Sequence, residues 1–537
     1  MVCLVVLFFA RDGARSQSAP DAAKGLAPRV RQVAYLKASN VHAGDHFGCG
    51  GSLPAHIGNS SAVSADGNYI AIGAHLESGA AKGVNGNQND TSLYASGAVY
   101  VFARRGATWV QQAYLKAANP QMGANLGMNV ALNADGSTLA ASAYFESSSS
   151  TGINSAQDDK IPQAGAVYVF TRSGDRWSQQ AYIKASNTGR PADPGDPNDW
   201  GDGDQFGHSV ALNGDGNTLA VGAPSEDSRS SSINNTAFEK DDSAASSGAV
   251  YVFARNGTAW SQQAYIKGAN TDAGDLFGYV VSLSTDGNTL ATCAYDEDGS
   301  GRAPNAIPDN RRGGTGAGYV FVRADGVWRQ QAYLKGSRMQ GNDSMISIAI
   351  SGDGNTIAAG STEESCLIAG SDPPACDIDT FPVQLGGGSA GAVYVWVRNG
   401  NNWTEQSFIK SSNPDIEDVF GYRLALSSDG STLLVGAPNE DSNAQGINGN
   451  QMDNSALEAG AAYLFTRTGT AWTQRSYIKG TNTRAFDLFA SSVAISADGK
   501  LMVAGAPIES SGAKGVNANQ KDTSAQGAGA GYVFTYN

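Results

Sequence analysis

The chain restarts seven times. The phrase QQAYLK, or a close variant, places an aromatic residue at Tyr35, Tyr114, Tyr182, Tyr265, Tyr333, Phe408 and Tyr477, 68 to 83 residues apart. Self-similarity at such a period means one supersecondary unit copied along the chain, each copy burying its apolar surface against the next. Within every period the same order returns: a strand ending in Asp-Gly, a strand ending near Gly-Ala-Pro, a variable loop, then a strand such as GAVYVF. The Asp-Gly turns stand at Asp66, Asp135, Asp215, Asp286, Asp353, Asp429 and Asp498, each followed by the glycine that a tight hairpin with positive φ prefers. Each unit therefore holds four strands.

The third strand, Gly248 to Phe253 in one copy, is apolar at nearly every position, as suits a strand buried on both faces between neighbouring sheets. Seven four-stranded antiparallel units packed this way predict an all-β fold, a seven-bladed β-propeller. The two ends support the ring. The last unit stops at GYVFTYN without a fourth strand, while the first repeat element, Arg31 to Lys37, is a fourth strand with nothing before it. The N-terminal strand is expected to complete the last blade, removing the open edges of a linear array. Trp109, Trp177, Trp260, Trp328, Trp403 and Trp472 open the fourth strands of the other six blades and are expected to pack between blades rather than stack on a ligand.

Residues 29–537 thus form the propeller domain. Residues 1–28 carry an apolar run without the usual basic start, and read as a signal peptide or a disordered leader. No later segment is apolar enough to span a bilayer as a helix. Acidic residues outnumber basic ones by 50 to 36, a net charge of −14, which argues against a nucleic-acid partner. Of five cysteines, Cys366 and Cys376 bracket one loop at a spacing that can close a disulfide in an oxidising compartment, whereas Cys49 and Cys293 look unpaired.

The alternation of Phe-Gly, at Phe47-Gly48, Phe206-Gly207, Phe277-Gly278 and Phe420-Gly421, with Gly-Ala-Pro, at 222–224, 436–438 and 505–507, resembles the FG-GAP repeats of the integrin α-chain propeller and its bacterial extracellular relatives. The resemblance covers nearly everything after residue 29. It implies a secreted or cell-surface binding or adhesion module that is not an enzyme. It also implies calcium in the hairpin between strands one and two, where that family carries D-x-D-x-D-G-x-x-D. Here those positions read Ala425, Ser427, Asp429 and Leu433 in blade six, and Ala211, Asn213, Asp215 and Leu219 in blade three. One carboxylate cannot supply the six to eight oxygens that calcium takes, so these hairpins read as structural turns.

A second oxygen-rich set lies on the opposite face. Glu77, Glu146, Glu226, Glu297, Glu364, Glu440 and Glu509 each follow the Gly-Ala-Pro position, and several blades place an aspartate before Phe-Gly: Asp45, Asp204, Asp275, Asp418 and Asp487. The loops GVNGNQNDTS, GINGNQMDNS and GVNANQKDTS add Asp90, Asp453 and Asp522 with Asn85, Asn448 and Asn517. Two readings stand. Glu77, Asp90, Glu440, Asp453, Glu509 and Asp522 could cage calcium, the one cofactor the sequence suggests, or Asn and Asp could cap the loop backbone while the glutamates accept backbone N–H groups. The lysine of each YLK and the arginine after each YVF strand read as solvated strand ends.

The insertion before blade three, NTGRPADPGDPNDWGDGDQFG, sets Asp196, Asp199 and Asp202 around Trp200. It reads either as a sugar or peptide contact or as a solvated acidic loop with the tryptophan folded back. The five histidines, at 42, 46, 56, 75 and 208, fall in no HExxH pattern; four cluster in or before blade one, as a catalytic group or as scattered loop residues. The GGSAG string at 387–391 precedes a blade strand instead of a nucleophile elbow. The expectation is a monomer that binds an extracellular protein or glycan through its loop-rich face. A polysaccharide lyase or hydrolase, and a structural envelope or matrix component, are the alternatives.

Overall fold

The computed structural model describes residues 29–49, 58–190, 203–235, 237, 239–306, 308–372 and 389–537. These form seven four-stranded antiparallel sheets, six of them in simple meander order, with no helix among the described residues. Blade one runs through Ser61–Val63, Tyr69–Ala74, Ala98–Arg105 and Thr108–Leu115. As expected, third strands are buried along most of their length, from Ala249 to Phe253 in blade three for example.

The seventh blade joins both ends of the chain. Strand Val30–Leu36 pairs antiparallel with Ala530–Tyr536, with Tyr35 opposite Tyr532 and Leu36 opposite Gly531. A second closure runs round the opposite rim. Seven backbone hydrogen bonds link the Asp-Gly turns in a cycle: from Ala65 N to Ala134 O, and on through residues 214, 285, 352–353, 428 and 497, until Ala497 N donates to Ala65 O at 3.1 Å. Because each blade holds only its neighbours, a cycle without a first or last member leaves no frayed edge.

The repeat's two motifs, Phe-Gly and Gly-Ala-Pro, have one steric cause. The glycine of Gly-Ala-Pro in one blade and the Phe-Gly glycine of the next approach backbone to backbone. A Cβ at Gly222 would stand 1.9 Å from Gly278 O, and Gly278 itself sits at φ +89°. No side chain fits either place. The preceding phenylalanine fills the gap beneath: Phe277 lies edge-on to Tyr319 at 5.1 Å and to Phe321 at 6.0 Å. The tryptophans are buried between blades as expected, Trp260 Nε1 donating to Gln180 of the preceding blade at 2.9 Å.

Candidate functional site

The loops joining strands two to three, and four to the next blade's first, emerge on one face. Their base is a repeated buried ion pair. Glu77, Glu146, Glu226, Glu297, Glu364, Glu440 and Glu509 lie 2.6 to 3.1 Å from Lys116, Lys184, Lys267, Lys335, Lys410, Lys479 and Lys37 respectively. The expectation that these lysines are solvated strand ends is wrong: all seven are buried. The aliphatic stem of a lysine that ends a strand can run inward, and here a carboxylate waits for its ammonium group. In blade six Tyr477 Oη also donates to Glu440 Oε1 at 2.8 Å, and Asn413 Nδ2 donates to the same oxygen at 3.0 Å. Burial lowers the Lys479 pKa from its ordinary value while the Glu440 charge and hydrogen bond oppose that shift.

The Asn-rich loops are tied down by a second regular device. Asn85, Asn448 and Asn517 each accept, on Oδ1, the backbone N–H of Tyr114, Tyr477 and Tyr35, all at 2.9 Å. Their backbones are left-handed, with φ of 54° to 55°, a conformation that asparagine tolerates better than most residues. Asn154, Asn234, Asn305 and Asp372 repeat the bond in the remaining four blades, a periodicity visible in the sequence only once the loops are aligned on structure. Asp90 caps Ser92 N, and Asp522 accepts from Gly512 N and Ser524 Oγ, while Asn443 N donates to the Asp453 main-chain oxygen. On the other face Asp429 accepts Ser431 N, and Ser427 Oγ accepts Thr432 N, so the hairpin's polar groups are spent on its own turn.

Asp45, Asp275, Asp418 and Asp487, with Asp343 at the matching place in blade five, each brace a turn by accepting the N–H three residues back, as Asp418 does from Asp415 at 3.0 Å. Burial raises their pKa values: Asp45 to about 6, Asp275, Asp343 and Asp487 to about 7, and Asp418 to about 8. A carboxyl whose folded pKa lies above its unfolded value takes up protons on folding between the two, so its contribution to stability is full at low pH and is lost as pH rises through the folded value. The carboxyls of Asp66, Asp135, Asp215, Asp286 and Asp429, in the Asp-Gly turns, run the other way. Burial pushes Asp66 up, yet hydrogen bonds from Ser64 and Asn68 prevail and leave it below the ordinary range, so it costs stability only when protonated in acid. The melting midpoint is therefore expected to be higher at pH 5 than at pH 8, and Asp418→Asn should shrink that difference. Equal midpoints at both pH values would contradict these shifts.

First strands of all seven blades line a central channel with a cavity of about 290 Å³. Arg423, buried, closes its loop-face end: Nε and Nη2 donate to Gly58 O across the ring at 3.0 and 2.8 Å, and Nη1 donates to Tyr422 O at 2.9 Å. Cys366 is disulfide-bonded; Cys376, its expected partner, lies outside the described residues. So do residues 1–28, His56, and Asp196, Asp199, Trp200 and Asp202.

The same face carries exposed apolar side chains. Nine large apolar side chains are exposed among the described residues. Seven of them, Tyr94, Met122, Leu367, Ile416, Met452, Leu457 and Phe486, stand on loops of this face; only Val110 and Val327 lie elsewhere, on fourth strands. Six of the seven, all but Leu367, gather in three pairs where neighbouring loops meet. Gly123 N, next to Met122, donates to Tyr94 O at 2.9 Å, and Phe486 N donates to Leu457 O at 2.7 Å. Asn454 Nδ2 donates to Asp415 Oδ2, bringing the Met452 loop beside Ile416.

No curated protein matches the sequence. Among solved structures, the RRP9 WD40 repeats are similar at a TM-score of 0.44 and 9% identity, over 94% of this chain and 100% of theirs. A chain of the mitotic checkpoint complex is similar at a TM-score of 0.42 and 11% identity, over 98% of each. Residues 197–253 match the FG-GAP repeat family, and that match, together with seven four-stranded blades closed into a ring, fits an FG-GAP propeller.

Proposed function

We propose that this propeller is a non-enzymatic binding module, secreted or held at a cell surface, that takes a protein ligand on its loop-bearing face. The observation that carries this is the segregation of seven exposed large apolar side chains onto that face, with Met452 80% and Phe486 52% exposed. Isolated apolar residues on a surface are ordinary, whereas a gathering of them on one side marks an interaction surface. Five methionine and aliphatic side chains beside two aromatics, Tyr94 and Phe486, suit a protein surface better than the aromatic platforms and polar rims expected for a glycan. The disulfide at Cys366 supports an oxidising compartment. No helix among the described residues is long and apolar enough to cross a membrane.

We also propose that these loops are ordered without calcium. What supports this is the lysine ammonium group already set against each of the seven glutamates. A second cation there would have to displace a buried one.

The test probes arrays of extracellular proteins and of glycans with the wild type and with a Met452→Asp, Phe486→Asp double variant. Expected are protein ligands lost by the variant, about 10-fold or more in affinity, with an unchanged melting midpoint. Protein binding that survives the double variant, or binding to glycans alone, would overturn the reading.

A further inference from the structure

Three metal-ligating side chains converge at the seam where blade one meets blade seven. His46, Cys49 and His75 bring one ligand atom each to within 4.8 Å of one another. Cys49 and His75 are buried and His46 is half-buried; the two imidazole centroids are 5.7 Å apart. We propose that these residues bind one zinc-class transition ion.

The backbone that presents them belongs to the repeat, while their chemistry is peculiar to blade one. The residue before Phe-Gly is left-handed here as in other blades, His46 at φ 53° like Gln205 at 56°. Bridges and bonds that recur round the ring then fix the other two places. Gly48 N donates to Gly73 O at 2.9 Å, as Gly207 N does to Gly222 O at 3.0 Å, which sets the residue after Phe-Gly beside the third residue of Gly-Ala-Pro. In blade three those three positions hold Gln205, His208 and Pro224, which cannot form such a set. Only in blade one, among the described residues, do all three carry a nitrogen or sulfur ligand.

The donor set suits the ion. Two imidazoles and a thiolate are preferred by zinc and its neighbours over calcium or magnesium, and three protein ligands leave one tetrahedral position for water or an incoming donor. Tetrahedral zinc sets its ligand atoms about 3.3 to 3.5 Å apart, so the three groups need only close inward from their present spacing. Gly527 of blade seven stands beside the His46 ring, 3.4 Å from Nε2 to where its Cβ would lie. His46 N also donates to Gly527 O at 3.0 Å. A bound ion would therefore fasten the segment that links the closing strand to blade one.

Cobalt(II), the spectroscopic stand-in for zinc, tests the site. Full-length protein stripped of metal is titrated with cobalt while the thiolate-to-cobalt charge-transfer band is followed, and zinc is then added in competition. Expected are one equivalent of cobalt, a saturating band, and its displacement by zinc. Cys49→Ser should abolish the band, His75→Gln should weaken binding by more than about 100-fold, and His208→Gln should leave both unchanged. Circular dichroism and the metal-free melting midpoint confirm that each variant is folded. No saturable band in folded wild-type protein, or a band that persists in Cys49→Ser, would overturn the site.

Discussion

A chain beginning at residue 40 is expected to lose the ring. It lacks the strand Val30–Leu36 and with it buried Tyr35, Leu36 and Lys37, so the strand Ala530–Tyr536 is left with an open edge and Glu509 with no counter-ion. Removing two large buried side chains costs about 2 to 5 kcal/mol each, and an uncompensated buried carboxylate about 3 to 5 kcal/mol. Those losses together rival the whole stability of an ordinary domain. The truncated protein should aggregate, or pair its open edge with a second copy, and a peptide of residues 29–39 added in trans should restore a monomer. Size-exclusion chromatography with light scattering reads the outcome. A truncated chain that stays monomeric and unfolds at the denaturant midpoint of residues 29–537 would show that the rim cycle of hydrogen bonds closes the ring by itself.

The second large effect comes from splitting one Glu–Lys pair. Glu440 and Lys479 are 1% and 0% exposed and 2.7 Å apart. Either Glu440→Gln or Lys479→Met leaves the other charge buried, and each should cost about 3 to 5 kcal/mol in denaturant unfolding. The double variant removes both charges and lets the glutamine oxygen still accept from Tyr477, so it should cost less than the sum by about 0.5 to 3 kcal/mol. Strict additivity would mean that the pair is not coupled. The pair's position explains why the effect reaches the binding face: Gly460 N donates to Glu440 O, and Ser442 N to its carboxylate, so the loop that carries Met452 and Leu457 hangs from this residue.

The parts of the fold that were legible in the sequence are those encoded by short-range chemistry. Asp-Gly turns, alternating strands and the orphan strand at each end announced blades, count and closure. The steric reason for Phe-Gly and Gly-Ala-Pro was not legible, because it is a backbone contact between blades. The site was half legible. Seven glutamates at one position signalled a common role, but their lysines sit 38 to 46 residues away in six blades and 472 in the seventh. A lysine at a strand end is ordinarily solvated, which hid the pairing. The apolar patches were invisible for a related reason: Ile416, Met452 and Phe486 are isolated in the sequence, and only the ring brings their loops side by side.

Thermal unfolding of residues 29–537 after chelation, with and without millimolar calcium, tests most directly whether lysine holds these loops. An unchanged midpoint is expected for the wild type, against a marked fall for Lys479→Met under both conditions. A site filled to about 100 times its dissociation constant adds roughly 2.7 kcal/mol, so a clear upward shift in calcium that magnesium does not reproduce would mean that the loop carboxylates hold a metal ion after all.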